Sequence, residues 1–203
     1  MCGRYYFQLE DTKSFQRLKA KIQAQAIFEF ASDEVFPSNA SLVLVAGDDS
    51  YALDVMSWGI HTSHGTSLIN ARSETIFEKK TFQSMVHKRC LIPCNGFFEW
   101  KRNGRAHKQK VFITSKDAPL CYLGGIYNDE HQFVIVTAQA QGEMKSIHDR
   151  VPLLLQESQI ESYLNEEVSF DLPQPNLEFH KEELTHTQEQ LDLFTTENYD
   201  EKV

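Results

Sequence analysis

Residues 89–137 read RCLIPCNGFFEWKRNGRAHKQKVFITSKDAPLCYLGGIYNDEHQFVIVT. Two runs in this stretch, 90–92 and 96–101, are apolar, β-branched or aromatic, and a third follows at 111–114. Asn103-Gly104 separates the second from the third, and an Asn-Gly pair accepts the positive φ values of a tight hairpin turn. Runs 120–127 and 132–137 make another hairpin around Asn128-Asp129. Strands that follow one another through short turns predict an antiparallel or barrel-like sheet in the middle of the chain.

Working outward, 41–46 and 51–58 also have strand character, with Asp48-Asp49-Ser50 as the turn between them. Residues 10–25 predict a helix with Phe15, Leu18 and Ile22 on one face and Asp11 or Ser14 as its cap. Residues 73–87 predict a second, with Ile76, Phe77 and Met85 facing inward. A short helix is expected at 142–148 and a longer one at 156–165. There is no internal repeat and no linker. The fold class read from this pattern is α+β: one domain over residues 1–190, its mostly antiparallel barrel-like core flanked by helices. Residues 191–203 are expected to form a flexible acidic tail.

The chain has 203 residues, enough to bury a core, and is 41% hydrophobic and 24% charged. No apolar run approaches the ~20 residues of a membrane helix, and no secretion signal is apparent. The expectation is a cytoplasmic monomer with no membrane partner. Cys2, Cys90, Cys94 and Cys121 are then reduced thiols. The spacing of Cys90 and Cys94 invites a zinc reading, but no second Cys/His pair follows at finger-like spacing. Buried structural thiols are the favoured reading, with no metal and no organic cofactor.

A net charge of −9 argues at first against nucleic acid. The average hides an asymmetry. Residues 157–203 hold 13 acids and 2 bases, whereas residues 1–156 hold 16 acids and 18 bases. Within 79–116 there are ten Lys/Arg and one acid, Glu99. Such a stretch suits phosphate contacts, although on charge alone a solvated face is the favoured reading.

Four segments carry candidate chemistry. In Met1-Cys2-Gly3-Arg4, removal of Met1 leaves Cys2 with both a thiol and a free α-amine, whose pKa near ~8 keeps part of it nucleophilic at neutral pH. A 1,2-aminothiol condenses with an aldehyde to an imine and closes to a thiazolidine ring. The bland alternative is an ordinary second residue. In Asn70-Ala71-Arg72-Ser73-Glu74, Asn70 donates and accepts hydrogen bonds and Arg72 is built to grip a phosphate, or the segment is merely a turn. In Gly96-Phe97-Phe98-Glu99-Trp100, a carboxyl sits in an apolar run. Burial would disfavour its charged form and suit it to proton transfer, while the plain reading is an exposed strand position. In His148-Asp149-Arg150-Val151-Pro152, His148 is a candidate proton donor, Asp149 a group to orient it, and Arg150 a phosphate ligand.

Together these segments resemble the SOS response-associated peptidase (SRAP) family, whose pattern is Met-Cys-Gly-Arg, Asn-Ala-Arg-x-Glu, Gly-[Phe/Trp/Tyr]-[Phe/Tyr]-Glu-Trp and His-x-Arg-x-Pro. All four stand here in order, from Cys2 to Pro152. The resemblance implies a sensor of abasic sites in single-stranded DNA. Cys2, after Met1 removal, would form a thiazolidine with the opened sugar. Asn70 would position the amine and substrate, Glu99 would shuttle protons, and His148 would protonate the ring oxygen. Arg4, Arg72 and Arg150 would hold DNA phosphates. Single-stranded DNA with abasic sites is the implied partner, and the self-processing of Met1 accounts for the peptidase in the family name.

Some family features differ. Phe36-Pro37-Ser38-Asn39-Ala40 replaces the usual Asn-x-Ala-Pro segment. The loop after Trp58-Gly59 lacks the Trp-containing wedge, and the Val-Asn-rich C-terminal segment is missing. Three other readings predict different behaviour. An N-terminal-nucleophile amidotransferase would hydrolyse glutamine at Cys2, although it would carry an apolar residue at Arg4. A non-covalent single-stranded DNA-binding module would bind in a salt-sensitive way without an adduct. A peptidase acting on other proteins would pair Cys2 with His148.

Overall fold

The computed structural model describes residues 2–48, 50–62, 65, 67–103 and 107–181, without the side chains of 102, 103, 107 and 108. In chain order the elements are β1 (Tyr5–Phe7), α1 (Lys13–Ala24), β2 (Asp33–Val35), β3 (Ala40–Val45), β4 (Ala52–Trp58), β5 (Ile60–His61), β6 (Ser67–Leu68) and β7 (Asn70–Arg72). Next come α2 (Lys80–Gln83), β8 (Arg89–Cys94), β9 (Gly96–Asn103), β10 (His107–Ser115), β11 (Cys121–Tyr127) and β12 (Gln132–Gln139). The series ends with β13 (Arg150–Pro152), β14 (Leu154–Leu155), α3 (Ile160–Leu164) and β15 (Leu177–Lys181).

The larger sheet closes on itself. Its order runs β12-β4-β3-β8-β11, and β11 pairs again with β12. Closure leaves no unpaired edge inside this ring. β7, β13 and β14 hang from its rim. All neighbours are antiparallel except β4 and β7, which both run parallel to β12. A second sheet has the order β15-β10-β9-β1-β2. The architecture is α+β and mostly antiparallel, as the hairpin signals predict. The two parallel pairings escape a reading based on hairpins because they join strands far apart in sequence.

Close packing explains the apolar strands. Every residue of β8 is buried, because the ring interior lies on one side and α3 packs on the other. Trp58 stacks on Phe133, their centroids 6.4 Å apart, and Tyr5 tilts against Trp58 at 5.4 Å. Gly96 is required by a close approach. A Cβ there would lie 2.5 Å from the Ile113 carbonyl oxygen and 2.7 Å from the Phe112 ring.

The helices are shorter than periodicity predicts. α1 buries Phe15, Leu18 and Ile22 as expected, but its N-cap is Thr12, without a side-chain cap. Neither Asp11 nor Ser14 caps it; Asp11 instead accepts from Lys19 at 3.1 Å. The helix expected over 73–87 is broken into a 3-10 turn, Ser73–Thr75, and the single turn α2, because Lys79 adopts extended backbone between them. Ile76 and Met85 still reach the core, but Phe77 is 58% exposed. The segment at 142–148 is a 3-10 turn, Gly142–Ser146. The helix expected at 156–165 begins as a 3-10 turn under a Gln156/Gln159 capping box and continues as α3. The acidic tail expected at 191–203 lies outside the described residues. No described helix is long and apolar enough to cross a membrane.

Candidate functional site

The N-terminal segment is held by backbone pairing. Tyr5 of β1 pairs with Phe97 of β9, and the Phe98 amide donates to the Arg4 carbonyl at 2.9 Å. This register brings the residues before β1 alongside Glu99. Cys2 is fully buried. Its thiol lies 3.8 Å from the Arg4 carbonyl oxygen, to which it donates. Burial, followed by the negative charge of Glu99, pushes the Cys2 thiol up to about 12. At neutral pH it is therefore a neutral thiol. Glu99 is itself only 3% exposed.

Asn70 begins β7 and is placed by pairing with Ile135 of β12. Its Nδ2 donates to the Cys2 carbonyl oxygen at 2.8 Å across 68 residues of sequence. Its Oδ1 is buried and has no hydrogen-bond partner among the described residues. Cys2, Asn70 and Glu99 thus come together, although three separate elements deliver them.

His148 lies on the loop into β13. The Arg150 amide donates to its Nδ1 at 3.0 Å. Nδ1 is then the acceptor, so in the neutral ring the proton sits on Nε2, which is a donor. The Asp149 side chain is exposed, and it is the Asp149 carbonyl that steadies the loop, accepting from Ala140 N at 2.9 Å.

The three arginines differ sharply. Arg150 is buried, and its guanidinium forms a fork on Glu74 at 2.6 and 2.9 Å. Nη2 also donates to the Thr137 carbonyl. Both terminal nitrogens are committed to protein acceptors, so its geometry is that of a brace joining the Asn70 segment to the His148 loop. This brace is the role that the contacts of Arg150 show. Arg4 donates to Glu34 at 3.0 Å and lies over the rings of Phe36 at 4.4 Å and Trp100 at 5.0 Å. Arg72 is exposed at the end of β7.

Among the described residues, the bases of the 79–116 stretch do not all lie on one open face. Arg89 is buried over Tyr163 and Phe170, Lys88 pairs with Asp129, and Lys110 pairs with Glu34. The side chains of Arg102, Arg105 and Lys108 lie outside the described residues. Cys90 and Cys94 are buried on β8, opposite Gly125 and Cys121 of β11.

The family pattern is matched along nearly the whole domain: the model for SOS response associated peptidase (SRAP) covers residues 1–190. The chain belongs to that family. Among its relatives is the Abasic site processing protein YoaM of Bacillus subtilis (strain 168), 30% identical over 185 residues, or 81% of this chain and 79% of that protein. The Abasic site processing protein YoqW of the same bacterium is 32% identical over 180 residues, covering 81% and 80%. A crystal structure of a protein from Bacteroides thetaiotaomicron is 22% identical and has a TM-score of 0.69 over 90% of this chain and 92% of that one. It shares the fold.

Sequence reasoning missed Glu74, Thr137 and Glu34 as partners. Glu74 stands within a quoted motif, and its charge opposite to that of Arg150 was an available signal. Nothing in the sequence placed Glu34 beside Arg4, because that contact depends on the β1–β2 pairing.

Proposed function

We propose that this SRAP family member processes abasic sites in single-stranded DNA by covalent capture at Cys2. The observation that carries the reading is the hydrogen bond from Asn70 to the Cys2 carbonyl, beside the strand that carries the buried Glu99. It anchors the second residue of the chain inside a polar site. The names of the relatives support the choice of substrate.

Hydrolysis of the Met1–Cys2 peptide bond releases Met1 and creates the α-amine. His148 donates from Nε2 to the sugar ring oxygen as the bond from that oxygen to C1′ breaks, the proton of the C1′ hydroxyl passes through water back to the imidazole, and the deoxyribose opens to its aldehyde. The amine adds to the aldehyde carbon, Glu99 relays the proton, and water leaves to give an iminium. The sulfur of Cys2 then bonds to that same carbon while its proton passes to Glu99, and a thiazolidine closes. Capture of the aldehyde releases one water overall. A neutral, buried thiol suits this order, because the amine reacts first and the iminium is a stronger electrophile than the aldehyde. Arg4 and Arg72 are the candidate phosphate contacts, and Arg150 braces the walls.

The test is incubation of protein, shown by mass to lack Met1, with a single-stranded oligonucleotide bearing one abasic site. A heat-stable adduct on a denaturing gel is expected, and it should be absent with Cys2→Ala. Glu99→Gln and His148→Ala should slow its formation by about 10²–10⁴-fold, the usual worth of a positioned acid or base. A folded, Met1-free protein that yields no adduct would falsify the covalent reading. Glutaminase activity would then favour the amidotransferase, and reversible binding alone the non-covalent module.

A further inference from the structure

Where β12 ends and the chain turns toward His148, the surface opens into a cavity of about 400 Å3. That size is at the lower end of the ~300–1,000 Å3 typical of small-molecule sites. One wall, Ser73 and Glu74, continues the strand that carries Asn70 and Arg72. The other, Gln139 and Gln141, is tied to the His148 loop through the Ala140–Asp149 backbone bond. Both walls are therefore extensions of segments that build the candidate site. Ser73 is three residues beyond Asn70, on the order of 10 Å along extended chain.

The chemistry of the cavity is specific. Phe77 lines it with more than half of its surface open to solvent, its ring centroid 5.8 Å from that of Phe170. Gln174 bridges Gln139 and Gln141, donating to the Gln139 carbonyl at 2.7 Å and accepting from the Gln141 amide at 3.3 Å. Gln141 and Asp171 also line the space. Among the described residues no Lys or Arg lines it, and two carboxylates border it, that of Asp171 and that of Glu74, the latter already held by Arg150. Such a cavity lacks a lining cation to hold a phosphate. It offers a neutral planar group an aromatic face to stack on and amide and carboxylate groups to bond its edge.

We infer that the cavity receives a nucleobase of the bound strand, a few nucleotides from the captured sugar, with Phe77 stacking on it and Gln141 and Asp171 contacting its edge. This subsite rests on the single-stranded DNA reading above. Asp171 accepts but does not donate when ionised, so bases with an exocyclic amino group are favoured over thymine at that position.

The test separates the two readings. Cys2→Ala protein is bound to single-stranded oligonucleotides in which 5-iododeoxycytidine is moved one nucleotide at a time on either side of the abasic site. Binding is followed by fluorescence anisotropy and photo-crosslinks are mapped by mass spectrometry. Crosslinks at one or two positions should map to Phe77 or to segments 138–141 and 169–174. Phe77→Ala should cut that yield about tenfold, in line with the loss of one stacked base. Asp171→Asn should keep the crosslink and reduce the preference for cytosine over thymine at the same position. Tight binding with every crosslink mapping elsewhere, or a yield indifferent to Phe77→Ala, overturns the subsite alone. Absence of any DNA binding by folded protein overturns the subsite and the DNA reading together.

Discussion

At the scale of the residue, the pair Glu74–Arg150 shows how one ion pair organises a site without touching its chemistry. Glu74 follows Asn70 by four residues, and Arg150 follows His148 by two. The fork between them therefore sets the separation of the segment that holds the Cys2 carbonyl from the loop that carries the imidazole. Its hydrogen bonds also hold the Glu74 carboxyl below the usual carboxylate range. Lysine keeps the charge of Arg150 but cannot form two parallel bonds. Arg150→Lys should lower stability by about 1–3 kcal/mol, the range for stranding a buried acceptor such as the Thr137 carbonyl, and should slow adduct formation more than it weakens DNA binding. Urea denaturation and single-turnover adduct kinetics read the two effects, and equal losses in binding and rate would return Arg150 to a phosphate role. This pairing shows the limit of reading motifs. Arg72 and Arg150 look alike in sequence as cations within motifs, and only burial separates an exposed cation from a brace.

At the scale of the element, the segment Gly96–Asn103 carries the most constraint. It pairs with β1 on one side and β10 on the other, so its register places Glu99 beside the N-terminal segment. Gly96 permits this crossing because a methyl group there would press on the backbone of Ile113. Gly96→Ala should cost about 1–3 kcal/mol through overpacking and displace β9 against β10. Thermal or urea unfolding measures the first effect. Loss of adduct formation out of proportion to the stability change measures the second. A variant as stable and as active as the parent would mean that β9 and β10 separate freely at this point. Strands were legible here because apolar patterning and an Asn103-Gly104 pair are local signals, although Gly104 itself lies outside the described residues. The break of the expected 73–87 helix was not legible, because burial of Ile76 and Met85 from two short turns satisfies the same apolar spacing as one long helix.

For the molecule as a whole, the buried ionisable groups set a pH limit. Burial raises the Cys2, Cys90, Cys94 and Cys121 thiols and the Tyr5, Tyr122 and Tyr163 phenols above their ordinary values. The folded chain therefore holds protons that the unfolded chain releases, and stability falls with rising pH. The contribution is complete below the unfolded thiol value of ~8.5 and is lost progressively above it. Urea midpoints should fall between pH 8 and pH 10, and Cys90, Cys94 and Cys121 should resist iodoacetamide at pH 8 until the chain unfolds. A flat midpoint over that range would mean that these groups are not held neutral. The sequence by itself determined the α+β class, the strand-rich middle and the identity of Cys2, Asn70, Glu99 and His148 as candidates, because strand patterning, tight turns and side-chain chemistry are local properties. Closure of the ring through parallel pairing with β12, the meeting of Asn70 with Cys2 and the removal of Arg150 from the surface were decided only by tertiary structure. Each is a contact between segments distant in the chain, whose energy depends on burial and geometry that no local window contains.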